Sequence, residues 1–162
     1  MTGLNELVSN VVAGGHGVRT VIDNGSIVTY ASAGAAGGMP STPAGSVTVD
    51  TWHHLVLGWD DINSEWTLAL DGVIQTQAFT NAGGLTDPAR MIVGNFEESA
   101  GKLATQFDGH IYDLQIYEGV LSNSEIAILY ANPGTAIPEP DTYALLGGIF
   151  ALTSVMVRRR SS

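Results

Sequence analysis

The chain has 162 residues, among them 20 glycines and no cysteine, with 14% charged residues and a formal net charge of −10 at pH 7. This length fits one domain with a short appendage, and the high glycine content with low charge favours many turns over long helical bundles or coiled coils. The lack of cysteine excludes a disulfide scaffold, a thiolate zinc site and a cysteine nucleophile, and a hydrophobic fraction of 44% excludes a wholly disordered chain.

The charge is distributed unevenly along the chain. Residues 1–137 contain three basic and fourteen acidic residues, whereas three of the six basic residues are Arg158, Arg159 and Arg160 near the C-terminus. A body with a net charge of −11 lacks the clustered Lys and Arg that nucleic-acid phosphates require. We therefore expect no nucleic-acid partner.

The first elements in chain order are a leader and a hairpin. Residues 1–15 lack a cationic start and carry Glu6 before any long apolar run, so no signal peptide is predicted at this start, and residues 1–17 are assigned to a leader outside the domain. Two β-branched runs, at 19–23 and 26–30, flank Asn24 and Gly25. An Asn-Gly pair in that position predicts a β-hairpin, because both residues tolerate positive φ.

An antiparallel meander is predicted in the middle of the chain. Residues 31–46 are small and contain two prolines, so we expect a long loop. Alternating apolar residues then predict three strands joined by turns, and beyond them come a short strand, a polar loop and a last strand. The predicted strands span 53–59, 66–70, 73–78, 90–94 and 107–117, and the polar loop spans 95–106.

A short helix is predicted at 122–131. Ser122 followed three residues later by Glu125 matches the capping box that opens helices, and the run at 132–134, Asn-Pro-Gly, ends it. Residues 133–137 are then a linker.

Three segments carry a resemblance to a known family. They are TWHHLVLGWD at 51–60, WTLALDGVIQ at 66–75, and IVGNF at 92–96 followed by FDGHIYDLQIYEGVLSNSEIAILY at 107–130. Together they resemble the LamG-like jelly-roll family, the concanavalin A-like lectin or glucanase sandwich. The resemblance implies an all-β fold, an antiparallel jelly-roll sandwich over residues 18–132. The family's first strands have no match before Val18, so the domain is expected to be N-terminally incomplete, with the strand at 107–117 exposing an apolar edge.

The tail at 138–162 resembles a second family, the PEP-CTERM sorting signal. It has Pro138, Glu139 and Pro140, then an uncharged segment at 142–157, then Arg158–Arg160. The resemblance implies export, retention in the inner membrane and cleavage by an exosortase-type protease. As a single hydrophobic helix, 142–157 would span about 24 Å, slightly less than a hydrocarbon core of about 30 Å. The arginines would then stop the chain on the cytoplasmic side.

Catalytic and transition-metal sites have little support in the sequence. His53 and His54 are neighbours on a predicted strand, so they point to opposite faces and cannot share one ion. The glucanases of the resembled superfamily place acidic residues at alternate positions of one strand, and that pattern is absent. The acidic pair at 60–61 falls in a turn and the pair at 97–98 in a loop, without the spacing that a two-carboxylate mechanism needs. We therefore expect no enzymatic activity.

Calcium is the one cofactor that the sequence leaves open. Domains of the resembled family often bind calcium at the rim of the sandwich, and Asp60, Asp71 and Asp108 are weak candidates because they fall in turns. Turn aspartates are also common for backbone reasons alone. All three tryptophans, Trp52 among them, could stack on sugars if exposed, but core packing is favoured for Trp59 and Trp66 because they alternate in phase with neighbouring leucines.

The resulting expectation is a non-enzymatic, exported envelope or extracellular-matrix protein. Its LamG-like module would serve adhesion or the recognition of carbohydrate or protein, with ligand-binding residues that the sequence does not identify. The tail would anchor it in the inner membrane before cleavage. Two alternatives stay open: a fragment of, or accessory to, a carbohydrate-active enzyme, and a truncated, non-functional remnant.

Overall fold

A computed structural model describes residues 4–9, 17–32, 35–36, 40–60, 62–78, 80–81, 91–99 and 102–137. Two antiparallel sheets dominate this part of the chain, one of four strands in the order β3-β2-β1-β9 and one of three in the order β5-β6-β7. The protein is an all-β jelly-roll sandwich, as predicted. Its elements are β1 (Leu4–Ser9), β2 (Gly17–Asp23), β3 (Ser26–Ser32), β4 (Ala35–Ala36), β5 (Leu55–Asp60), β6 (Glu65–Leu70), β7 (Val73–Ala78), β8 (Thr80–Asn81), β9 (Ile92–Val93), β10 (Phe96–Ser99), β11 (Lys102–Ala104) and α1 (Asn123–Ala131).

Two tight turns fix the strand registers. Asn24 and Gly25 have φ values of 49° and 73° between β2 and β3, and Asp71 and Gly72 have φ values of 50° and 79° between β6 and β7. Two successive positive φ angles define the type I′ turn, whose twist matches that of antiparallel strands. The hairpin predicted from the Asn-Gly pair and the predicted meander are both confirmed.

The core lies between the two main sheets. Ile22 and Ile27 from the four-stranded sheet pack with Leu68 and Leu70 from the three-stranded sheet. Trp66 is only 2% exposed. It lies opposite Trp59 in the register of β5 and β6, with ring centroids 4.2 Å apart in an edge-to-face arrangement. The core role predicted for Trp66 is confirmed, whereas Trp59 is half-buried.

The N-terminal segment differs from the sequence-based interpretation. Residues 4–9, which the pattern assigns to a leader, form β1 and lie between β2 and β9 in the four-stranded sheet. Glu6 breaks the apolar pattern there, yet its side chain is fully buried and paired with Arg19 of β2. Hydrophobic periodicity does not predict this strand, because a core position is occupied by an acid whose partner is thirteen residues away in the sequence.

The predicted last strand at 107–117 is not a strand, which corrects the sequence-based interpretation. The amide of Phe107 donates to the carbonyl of Gly94 at 2.9 Å, but residues 108–117 enter no ladder with the described part of the chain. The alternation survives in a different form. Gln115 and Tyr117 are half-buried and bond to the chain after α1, whereas Tyr112, Leu114 and Ile116 are exposed.

Two predicted loops contain short strands. Residues 95–106, read as a polar loop, form a hairpin of β10 and β11, and Ala35–Ala36 in the predicted loop at 31–46 pairs with β8. Each ladder has only two or three residue pairs, which is too short for hydrophobic periodicity to reveal.

The short helix at 122–131 is confirmed. Ser122 is the N-cap of α1 and forms a capping box with Glu125, and Ile126 and Leu129 are buried against the sandwich. In the part of the chain that the structure describes, no helix is long and apolar enough to cross a membrane. The predicted hydrophobic helix at 142–157, the motif at Pro138–Pro140 and Arg158–Arg160 lie outside the described residues.

Candidate functional site

The three weak calcium candidates lie in separate places. Asp60 accepts hydrogen bonds from the amide and the side-chain nitrogen of Asn63, at 2.8 and 2.7 Å, which closes the turn after β5 and lowers the pKa of Asp60. Asp71 lies in the turn between β6 and β7, and Asp108 is exposed in the loop after β11. Within the described ranges, no group of three His, Asp or Glu side chains could hold a metal ion.

Asp71 joins the turn between β6 and β7 to the segment before β5. Its Oδ2 is 2.7 Å from Nδ1 of His53, and its Oδ1 accepts the amide of His54 at 2.8 Å. Burial of the Asp71 carboxyl opposes its ionisation, but these hydrogen bonds outweigh that effect and lower its pKa.

The tautomer of His53 follows from its second partner. Nε2 of His53 accepts the backbone amide of Thr48 at 3.0 Å, so in the neutral ring the proton is on Nδ1, which donates to Asp71. Both ring nitrogens are therefore committed to structure. The ring of His54 lies instead 5.8 Å from that of Tyr130 on α1. The two rings have different partners, but His53 and His54 precede β5 and do not lie on the predicted strand.

Trp52 extends outward from the segment before β5. Its side chain is 69% exposed, and its ring centroid lies 6.4 Å from that of Tyr112, which is 72% exposed, at an interplanar angle of 72°. Edge-to-face contact between aromatic rings is favourable because the positive edge of one ring meets the negative face of the other. We call Trp52 and Tyr112 the aromatic pair.

Tyr112 is held in place by the residue that follows it. Asp113 has a φ of 57°, and its carboxylate accepts Nε2 of Gln115 at 2.9 Å on both oxygens and the amide of Gly134 at 2.7 Å. Gln115 in turn accepts the hydroxyl of Tyr117, which accepts the amide of Ile137 at 3.1 Å. These bonds fasten 112–117 to 134–137 through side chains, so both members of the aromatic pair stand on braced backbone.

Sequence reasoning found half of this arrangement. It marked Trp52 as a residue that could stack on a sugar if exposed, but it placed Tyr112 in a strand among residues that supply apolar contacts. The signal that could have identified Tyr112 is the Asp113-x-Gln115 spacing, which lets two polar side chains hydrogen-bond to each other. Their partners at 134–137 are about twenty residues away, beyond the reach of a local pattern.

Glu6 has a raised pKa. Burial raises it, while Nε and a terminal nitrogen of Arg19, at 3.2 and 2.6 Å, and the hydroxyl of Thr105 at 3.4 Å counteract that effect. A catalytic acid needs reach to a substrate as well as a shifted pKa. Glu6 is fully buried inside the sheet and its contacts are structural.

The comparisons with known proteins agree with this architecture. No curated protein and no solved structure matches the chain. A family profile, Laminin_G_3, described as the concanavalin A-like lectin/glucanases superfamily, matches residues 4–127 and so includes β1. At a coarse level, a domain of this kind supports recognition of carbohydrate or protein. Because the match extends over more than three quarters of the chain, the protein belongs to the Laminin_G_3 family of the concanavalin A-like lectin/glucanases superfamily.

Proposed function

We propose that this protein is a non-enzymatic recognition module of the cell envelope or extracellular matrix, exported and sorted through its C-terminal tail. The observation that carries the recognition role is the aromatic pair, two large rings that stand in solvent on a sandwich of lectin type. Exposed aromatic side chains on braced backbone are typical of binding surfaces, since they offer a large contact area at little conformational cost.

The non-enzymatic part of the proposal is supported by the roles of the polar side chains. Asp60 and Asp71 hold turns, His53 uses both ring nitrogens in structural hydrogen bonds, and Glu6 is bound to Arg19. The direct test is incubation of the purified full chain with a panel of polysaccharides. We expect the chain to bind a polysaccharide without releasing reducing ends. Release of reducing ends that is lost when an acidic residue of the chain is substituted would establish a carbohydrate-active enzyme instead.

The sorting part of the proposal rests on the tail sequence. The amide of Ile137 is bonded to Tyr117, and the motif at Pro138, Glu139 and Pro140 follows directly in the sequence. The two prolines disfavour helix in the residues before them, which suits a protease substrate. An exosortase-type protease and the membrane are the partners that this proposal names.

Cell fractionation combined with mass spectrometry of the C-terminus tests the sorting proposal. We expect an envelope or extracellular protein that has lost Arg158–Arg160, and a variant with alanine at Pro138, Glu139 and Pro140 that keeps them and stays in the membrane. An intact Ser162 on a cytosolic protein would contradict export and sorting.

A screen of the full chain against glycans and matrix proteins, with and without calcium, tests recognition and the calcium prediction together. We expect at least one glycan or matrix protein to bind saturably. If calcium has a site, the metal alone raises the melting temperature, because a ligand that binds only the folded state stabilises it. Substitution of Asp60, Asp71 or Asp108 by asparagine then identifies the ligands. A folded protein that binds neither class of ligand would contradict the recognition role.

A further inference from the structure

We infer that the aromatic pair, together with the carboxylate of Asp113, is a binding site for a neutral glycan. A sugar ring would lie against the exposed faces of Trp52 and Tyr112, and one of its hydroxyls would donate to Asp113. This inference rests on the recognition role proposed above and names the ligand class and the residues that contact it.

The first step is the chemistry of the two rings. A pyranose has one face made mostly of C–H groups, whose slightly positive hydrogens are attracted to the negative face of an aromatic ring. Trp52 and Tyr112 are 69% and 72% exposed, so most of each side chain is open to solvent. Their interplanar angle of 72° makes a corner, not a flat platform. A corner can contact two adjacent faces of a sugar at once.

The second step is a hydrogen-bonding group next to Tyr112 in the chain; Gly134, which donates to it, also lies near the Tyr112 hydroxyl, 3.5 Å from the position of a β-carbon on Gly134. Asp113 follows Tyr112 directly and is exposed, and its carboxylate is held by Gln115 and Gly134 in a fixed orientation. These three donor contacts leave lone-pair capacity on Oδ1, because a carboxylate offers about four acceptor positions. A sugar hydroxyl that donates to Asp113 would form a charge-assisted hydrogen bond, which is stronger than a neutral one.

The third step is charge, which selects among glycans. Asp50, Asp108, Asp113 and Glu118 flank the aromatic pair along the chain, and residues 1–137 carry a net charge of −11. A sulfated or uronic-acid glycan would be repelled by this field. A neutral glycan is not, and it can use Asp113 as an acceptor.

The fourth step is preorganisation. His53, which follows Trp52, is hydrogen-bonded to Asp71 and to the Thr48 amide. Asp113, which follows Tyr112, is hydrogen-bonded to the Gly134 amide. Each exposed ring is thus next to a residue with strong hydrogen bonds, so little backbone entropy is lost on binding. His53 and Asp71 are positioning residues, since they act through Trp52.

The test measures binding of the full chain, in detergent micelles, to neutral and acidic polysaccharides by affinity electrophoresis and by tryptophan fluorescence. Trp52 is the exposed tryptophan, whereas Trp66 is buried and Trp59 half-buried, so a bound neutral glycan should change the emission through Trp52. We expect a loss of affinity of about tenfold in W52A and in Y112A, with a smaller loss in D113N, which retains one acceptor oxygen.

Two variants serve as matched controls. Ile62 is 94% exposed at the far end of β5 from Trp52, and Tyr30 is an exposed tyrosine on β3. We expect I62A and Y30A to bind as the wild type does, and circular dichroism verifies that all variants are folded.

The possible results distinguish a failure of this glycan site from a failure of the proposed recognition role. Neutral-glycan binding that W52A and Y112A leave unchanged would overturn this site while recognition stands. Preference for acidic glycans, for a peptide, or for a second copy of the chain at the aromatic pair would also overturn it. A folded wild type that binds no glycan would overturn the inference, and the screen against matrix proteins then decides whether the recognition role stands.

Discussion

At the scale of the residue, Asp71 makes the most specific prediction. In D71N one carboxylate oxygen is replaced by an NH₂ group, which must face either Nδ1–H of His53 or the backbone N–H of His54. In both orientations one donor faces another donor. The ring of His53 cannot relieve the conflict by moving its proton, because Nε2 accepts the Thr48 amide. We expect D71N to lower the free energy of unfolding by about 1–2 kcal/mol, measured by urea titration.

Asparagine is chosen because it tolerates the positive φ at this position, so the change isolates the hydrogen bonds from the turn. D50N, at an exposed aspartate that also has a positive φ, is the control and should stay within about 0.5 kcal/mol of the wild type. The lowered pKa of Asp71 means that its stabilisation is present above the ordinary value of 3.8 and is lost as the pH falls through the folded value. The difference between D71N and wild type should therefore shrink in acid, and a constant difference would contradict the assignment.

Gly72 and Gly45 offer a matched comparison of strain with and without a clash. Both have a φ of 79°, but a β-carbon on Gly72 would lie 2.8 Å from Cδ1 of Tyr130, whereas nothing lies within 4 Å of one on Gly45. We expect G45A to cost about 1–2 kcal/mol, the strain of a left-handed residue, and G72A to cost more, because the ring of Tyr130 must move. Thermal unfolding of the two variants measures the difference. Equal losses of stability would show that the Tyr130 ring moves aside without a measurable cost in free energy.

At the scale of the element, the capping box decides how α1 begins. The hydroxyl of Ser122 accepts the amide of Glu125 at 3.3 Å, and the carboxylate of Glu125 accepts the Ser122 amide at 2.7 Å. S122A should lower the stability by about 1 kcal/mol, whereas S122N should retain most of it, because asparagine also accepts at the N-cap. Chemical denaturation compares the two variants, and a loss as large in S122N as in S122A would contradict the cap.

The elements also show what the sequence could and could not predict. Two of the turns, Asn24–Gly25 and Asp71–Gly72, have their cause inside four residues, so the hairpins they make were predictable. The conformation at 107–117 was not, since it depends on Asp113 and Gln115 finding partners at 134–137. The exposure of Tyr112, and with it half of the candidate site, follows from that same distant contact.

At the scale of the whole molecule, acidic residues outnumber basic ones, and four described acids have shifted pKa values of two kinds. Asp60, Asp71 and Glu125 have lowered pKa values because turns or caps donate hydrogen bonds to them, so they stabilise the fold above their ordinary pKa values. Glu6 is the opposite case, since burial raises its pKa. Its contribution to stability is greatest below its ordinary value of 4.5 and falls as the pH rises through the folded value.

Glu6 also joins distant parts of the chain, because it contacts Arg19 in β2 and Thr105 after β11. A raised pKa means that the fold favours the neutral carboxyl of Glu6 over the ionised one, despite the contact with Arg19. E6Q supplies a neutral side chain of the same shape, so we expect it to match the wild type near pH 4 and to become more stable than the wild type as the pH rises towards 7. Urea unfolding between pH 4 and pH 7 provides the measurement. An E6Q variant that is less stable than the wild type at pH 7 would show that the ion pair with Arg19, and not burial, dominates at this position.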